Sequence, residues 1–284
     1  MARGSRCMSQ DPLSQQAWQW LGRELDRWSN AGLRAQFWWR DDDASDSSEA
    51  LDRLLQLAEE RQVPLALAVI PARLQPGLVD SLKNQGLITV LQHGYAHANH
   101  AAAGQRKLEL GGRLPGDRIA SELRLGRQTL ALEFGECFVA ALVPPWNRID
   151  GAAIEALPEL GFSGISTIKA RRAAYPAPGL LQVNTHLDPI NWRHDSGFLG
   201  VYPAIAILLQ HLVARRSGYR DIDEPSGILS HHLVQNDATW RFLDNLLRFL
   251  SAHPAADFID ARDIWRPRDV SRRGAEDAAS AEEN

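Results

Sequence analysis

Val63-Pro64-Leu65-Ala66-Leu67-Ala68-Val69-Ile70 is an unbroken apolar run set between polar and charged residues. A strand with one wet face alternates apolar and polar residues. A run without that alternation suits a strand covered on both faces, as in the parallel sheets of α/β proteins. The neighbouring chain carries matching punctuation. Upstream, residues 33–39 form a second apolar, aromatic run that ends at Arg40 and opens into a loop bearing Asp41, Asp42 and Asp43. Ser47 and Ser48 can then cap a helix with Leu51, Leu54, Leu55 and Ala58 on its inner face. Downstream, a helix is expected over 76–85, followed by a strand over 87–91 that delivers His93.

The alternation continues to the end of the chain. Helical spacing of apolar residues predicts a helix over 13–30 before the first strand, and further helices over 118–134, 202–216 and 238–252. Strands are expected over 137–143, more weakly over 162–167 and 181–185, and again over 227–230 and 257–260. Residues 98–116 read as a long loop rich in Gly and Ala. Seven or eight short strands alternating with helices, without a break in composition, argue for one α/β domain over 13–265. The Gly-rich phosphate fingerprint of nucleotide-binding folds is missing after the first strand, which favours a β/α barrel. Residues 1–12 read as flexible and 266–284, charged and rich in Ala and Ser, as a disordered tail.

Composition narrows the function. A net charge of −4 gives no electrostatic footprint for nucleic acid or an anionic membrane. The two cysteines, Cys7 and Cys137, lie far apart and make no disulfide framework, which points to a reducing compartment. The basic N-terminus has no apolar segment behind it, and no stretch reaches the length of a membrane span. The expectation is a cytoplasmic protein acting on a small molecule or precursor that it meets there.

In a parallel barrel the chemical groups gather at the C-terminal ends of the strands. The polar residues that stand out here fall at five such ends: the acids Asp41, Asp42 and Asp43; His93 with His97; the segment 144–147; the segment 185–188; and His231-His232. His93 and His97 are four apart, so on one face of a helical turn both imidazoles could address one ion about 2.0–2.1 Å away. A carboxylate from Asp42 or Asp43 would complete a set suited to zinc or another first-row divalent metal. Three adjacent carboxylates repel one another unless a cation sits among them, and Arg40 could pair with one. A second aspartate could then serve as general base, and His231 as general acid. Trp146 and Trp192 are placed in loops where they could stack on a sugar ring. The plainer alternatives are a solvated acidic loop and histidines and tryptophans that only fill the core.

Taken in order, Arg40-Asp-Asp-Asp43, His93-Gly-Tyr-Ala-His97, Val143-Pro-Pro-Trp-Asn147 and Leu229-Ser-His231 resemble the motifs of the polysaccharide deacetylase (NodB-like) superfamily, over roughly residues 33–260. The resemblance implies a distorted (β/α)7 barrel with one divalent metal, usually zinc. It implies His93 and His97 as ligands, with Asp42 as base and Asp43 as third ligand, although the paired aspartates could also align as Asp41 and Asp42. His231 matches the family's acid. Substrate contacts would come from Arg40, Asp41, Pro145, Trp146, Asn147, Asp188, Trp192 and His232. One departure stands out. The family's arginine that pairs with the base is replaced by Val143, so Arg40 or Arg148 would have to substitute. The expected activity is removal of an acyl group from an amide nitrogen of a sugar or sugar-containing precursor. The alternatives are hydrolysis of a non-sugar C–N bond, or a silent barrel that binds carbohydrate.

Overall fold

Strands that are apolar on both faces need helices on one side and a filled interior on the other. The computed structural model describes residues 11–193 and 197–265; the expected tail and nearly all of the expected flexible N-terminus lie outside them. The chain begins with α1 (Pro12–Asn30), whose first turn is capped by the Asp11 carboxylate on the Ser14 N–H. There follow β1 (Ala35–Ala44), α2 (Glu49–Arg61), β2 (Leu65–Val69), α3 (Pro76–Leu82), β3 (Ile88–His93), α4 (Gly116–Phe134), β4 (Phe138–Val143), α5 (Gly151–Ala156) and β5 (Gly164–Ile165). The second half contributes β6 (Leu181–Gln182), β7 (Thr185–Leu187), β8 (Ile190–Asn191), β9 (Gly197–Phe198), α6 (Val201–Arg216), β10 (Ser226–Ser230), α7 (Asp237–Ser251), β11 (Ala256–Phe258) and α8 (Ala261–Trp265).

The main sheet is parallel throughout. From β1 it runs through β2, β3, β4 and β5 to β6, and on the other side from β1 through β10 to β7. β6 and β7 are the two ends of one extended stretch. That stretch stays bonded to the chain leaving β5, through Val183 N–H to the Ile165 carbonyl at 3.1 Å and Thr185 N–H to the Thr167 carbonyl at 3.0 Å. The curled sheet thus comes round on itself. With β6 and β7 taken as one strand, it is the distorted (β/α)7 barrel that the sequence leads one to expect.

Alternation along the strands sorts the core into two layers. Phe37 and Trp39 of β1, Leu65, Leu67 and Val69 of β2, and Ile88 and Val90 of β3 face the helices and join a cluster with α1, α2, α6 and α7. The opposite set, with Trp38, Ala66, Ala68, Leu91, Ala141 and Val143, fills the interior. Alanines at these positions leave room for Trp38 and for Trp265 of α8, whose rings meet edge-on at 5.4 Å. At the N-terminal end of the strands Trp265 donates its indole N–H to the Leu181 carbonyl at 3.0 Å. There the chain also ties Thr89 Oγ1 to Asp260 at 2.9 Å.

Four details differ from expectation. The three acids do not sit in a loop, because β1 continues through them to Ala44 and keeps pairing with β2. The last strand, β11, stands outside the barrel circuit and pairs with the start of β1. The loop after β7 contains a short antiparallel β8–β9 pair. Helix α8, whose few residues show too little periodicity to be read, plugs the barrel. No helix among the described residues is long and apolar enough to cross a membrane.

Candidate metal centre

The site starts from the period of a strand. Side chains of β1 alternate, so Arg40 and Asp42 share one face and Trp39 and Asp41 the other. Arg40, fully buried, sets Nε against Asp42 Oδ1 at 2.8 Å and donates from one terminal nitrogen to Asp42 Oδ2 at 3.0 Å. Its remaining N–H groups reach Ser166 Oγ at 2.6 Å and Asn147 Oδ1 at 2.8 Å. Of the two candidates for the missing arginine, Arg40 is the one that binds Asp42; Arg148 instead donates to the Lys107 carbonyl at 3.1 Å.

Asp41 turns the other way. One of its oxygens accepts the Ser230 hydroxyl at 2.5 Å and the His232 backbone N–H at 3.0 Å, while the other meets His232 Nδ1 at 2.5 Å. Arg40 and Asp41 are both 0% exposed, with these partners around them, so neither is placed to touch a substrate as the resemblance implied. His232, 2% exposed, is likewise buried in its pair with Asp41.

Strict alternation would send Asp43 after Asp41. Instead its φ of 74° and a shift in the β1–β2 register turn it inward. Its Oδ1 stands 3.1 Å from His93 Nε2 and 3.2 Å from His97 Nε2. His93 ends β3, and its Nδ1 faces the Val143 carbonyl at 3.0 Å, which keeps a proton on Nδ1 and leaves Nε2 toward Asp43. His97 arrives differently from expectation. Residues 94–98 form no helix; the link turns back through left-handed backbone at Gly94, φ 53°, and at His97 itself, φ 56°. The two imidazoles converge through a tight turn, not through helical spacing.

Charge follows geometry. Burial disfavours the Asp43 carboxylate, yet the His93 hydrogen bond and the nearby His93, His231 and His97 hold its pKa well below the usual range. Burial opposes a proton on His93, but the hydrogen bond to Asp43 and the charges of Asp42 and Asp43 outweigh it, and the pKa rises. At His97, burial and then the neighbouring His93 push the pKa down. His93 therefore has an acceptor at each nitrogen, so the site favours positive charge between it and Asp43.

These residues fit a metal ion. A carboxylate oxygen and two imidazole nitrogens all lie within 4.8 Å of one another. Ligands at about 2.0–2.1 Å around one tetrahedral ion stand roughly 3.3–3.4 Å apart, close to the separations here. The Val143 carbonyl supplies the outer hydrogen bond that orients a ligating histidine. Side-chain exposures of 31% at Asp43 and 19% at His97, against 2% at His93, open the group on one side only.

A second buried group, His186, His211 and Glu224, passes the same distance test and fails the chemical one. Gly227 donates its backbone N–H to His186 Nδ1 at 3.0 Å, so the neutral ring carries its proton on Nε2, facing Glu224 at 3.6 Å. The His186 and His211 rings are stacked 3.4 Å apart and nearly parallel, at 16°, so their lone pairs do not converge. This group is a buried ring stack held by hydrogen bonds at its two Nδ1 atoms, to the Gly227 N–H and the Ser226 hydroxyl.

Around the open side stand further residues singled out in the sequence. Pro145 is buried beside Gly94, and Trp146, half-buried, packs on His97 with ring centres 4.5 Å apart. Trp146 and Asn147 hold φ of 56° and 55°, values that few non-glycine residues adopt. Trp192, half exposed, donates its indole N–H to Asp188 at 2.7 Å and meets the His231 ring edge-on at 4.8 Å. Burial raises the pKa of Asp188, against the neighbouring His231. Ser166, Ser230 and Glu109 also support the site and went unread, because a lone serine or glutamate in an irregular segment has no periodicity to mark it.

No protein-family model matches the chain, and no curated protein matches it by sequence. Solved structures do. The Bc1960 peptidoglycan N-acetylglucosamine deacetylase superposes with a TM-score of 0.53 at 14% identity, over 82% of this chain and 89% of its own. A family 4 acetyl xylan esterase from Clostridium thermocellum, solved with a cobalt ion, gives 0.51 at 15% identity, over 81% and 89%. A mutant of BA3943, a CE4 family pseudoenzyme with restored activity, gives 0.51 at 14% identity, over 82% and 68%. One fold thus carries an amide deacetylase, an ester hydrolase and a pseudoenzyme, so function has to be argued from the site. The chain has the fold of the polysaccharide deacetylases.

Proposed function

We propose that the protein is a metal-dependent hydrolase that removes an acetyl group from the amide nitrogen of a sugar or sugar-containing precursor. The observation that carries this reading is Asp43 Oδ1 within 3.2 Å of two imidazole nitrogens, beside an Asp42 gripped by Arg40. Asp43, His93 and His97 would hold one divalent cation, zinc or a first-row relative, which supplies Lewis-acid polarisation of the acyl carbonyl and of the attacking water.

The chain's own residues do the rest. Arg40 hydrogen-bonds Asp42 Oδ2 and faces Oδ1 only as an ion pair at 2.8 Å, so Oδ1, buried and without a hydrogen-bond partner among the described residues, remains to take the proton of the attacking water. Arg40 fixes Asp42 in direction. His231 donates a proton to the departing amine, with Trp192, itself bonded to Asp188, standing edge-on against its ring. Trp146 and Trp192 flank the opening with apolar ring faces, which suits a pyranose ring. Asp41 and His232 act as an internal tie that fixes the end of β10, and with it His231.

Activity on an N-acetylated amino sugar, compared with an O-acetylated sugar and a small linear or cyclic amide, tests the reading. Release of acetate with a free amine from the first is expected. Turnover confined to the amides would shift the reading to non-sugar C–N bonds. Carbohydrate binding without turnover on any of them would make the barrel a silent one.

A further inference from the structure

Residues 94–98 have no helix or sheet to hold them, yet they carry His97 to its place. Gly94 is held by Val143 and Gln92, and the Tyr95 carbonyl by Ala72, but the N–H groups of Tyr95, Ala96 and Ala98 all go to one side chain. Glu109, 0% exposed, accepts the Ala96 N–H at 2.8 Å and the Ala98 N–H at 3.1 Å on Oε1, and the Tyr95 N–H at 3.2 Å on Oε2. No Lys or Arg forms an ion pair with it among the described residues. A buried carboxylate is costly unless its lone pairs are met, and here three backbone donors meet them.

Glu109 is brought back to this segment by a closed loop. Leu108 N–H binds Asn99 Oδ1 at 3.0 Å, and the His100 N–H binds the Leu108 carbonyl at 2.7 Å. The fit is close: a Cβ placed on Gly94 would come 1.9 Å from Glu109 Oε2 and 2.6 Å from Pro145 Cδ. The link between the two histidines therefore has left-handed residues at Gly94 and His97, and between and beyond them amides pinned to a single anion.

We infer that Glu109 is a positioning residue of the metal centre: by clasping the amides of Tyr95, Ala96 and Ala98, it sets His97 Nε2 against Asp43 and His93 and so governs affinity for the cation. The inference rests on the reading that Asp43, His93 and His97 hold that cation. Glu109 touches neither the cation nor the substrate; it acts through backbone. Glutamine in its place keeps the shape but turns a donor toward one or two of the three N–H groups.

The test uses the full chain, stripped of metal with a chelator, as wild type, Glu109→Gln, Gly94→Ala and His93→Ala. Zn(II) affinity is read by competition with a chromophoric chelator, the visible spectrum of added Co(II) reports ligand geometry, and thermal melting reports folding. Glu109→Gln is expected to melt cooperatively, bind Zn(II) about 10- to 100-fold more weakly, and show altered Co(II) bands. Zn(II) affinity within twofold of wild type with an unchanged Co(II) spectrum overturns the inference. If Glu109→Gln does not melt cooperatively, Gly94→Ala, which forces Glu109 aside, decides by the same readouts. His93→Ala separates the two levels. If it loses Zn(II) while Glu109→Gln does not, this inference alone fails. If it binds Zn(II) like wild type, the metal reading fails and takes this inference with it.

Discussion

Three consecutive aspartates do three different jobs because strand period and one irregular φ deal them to different partners. Asp41 is tied to Ser230 and His232, Asp42 to Arg40, and Asp43 faces the histidines. On this account Asp42→Asn keeps its fold and its metal but loses the proton acceptor, and kcat should fall by about 10²- to 10⁴-fold. Metal content measured beside kcat checks this, and a variant retaining most of its activity would remove Asp42 as the base. The Asp41–His232 pair gives a pH signature. Burial lowers the pKa of His232, but the charge of Asp41 and its hydrogen bond overcome this and leave the value raised. A raised folded pKa means stability that is complete below the unfolded value of about 6.5 and lost as pH climbs through the folded value. The difference in Tm between wild type and His232→Gln, both metal-free, should therefore be largest below the unfolded value of about 6.5 and shrink as the pH rises above it. A gap that widens over that range would mean His232 is neutral in the fold. The motif showed that these residues matter; it did not show which does what, because the register shift and the φ of 74° at Asp43 leave no trace in residue type.

At the scale of elements, the strands act as delivery rods and the interior decides their spacing. Gly227 of β10 lies against Trp38 and the β7 chain, where a Cβ would come 2.5 Å from both Trp38 Nε1 and the Asn184 carbonyl. Gly164 of β5 has the same relation to Trp265, at 2.2 Å. Alanine at either site meets a large ring that has nowhere to go, and overpacking of this kind costs about 1–3 kcal/mol. Thermal or urea unfolding of Gly227→Ala and Gly164→Ala checks it, and unchanged stability in both would mean the barrel interior is loose. β2 and the first half of β1 were legible as unbroken apolar runs, and α1 and α7 because their helical periodicity is unambiguous. The two-residue β5 and β6 and the short α8 were legible only weakly or not at all, since their place is set by closure of the barrel and by Trp265.

For the whole molecule, seven strand positions in a ring bring Asp43 from the first strand and His93 from the third to one mouth, with His97 turned back over them. The sequence pattern was enough to place these groups at strand ends. It misjudged how His97 returns, by a clasped turn on Glu109 where a helix had been expected. The structural relatives share this fold across amide, ester and inactive proteins, so the metal is the claim on which the rest depends. The most direct measurement is elemental analysis of the purified wild type beside His97→Ala, with circular dichroism showing that both are folded. The account predicts close to one equivalent of a divalent first-row metal in the wild type and a large loss in the variant. Substoichiometric metal in the wild type, left unchanged by His97→Ala, would contradict it.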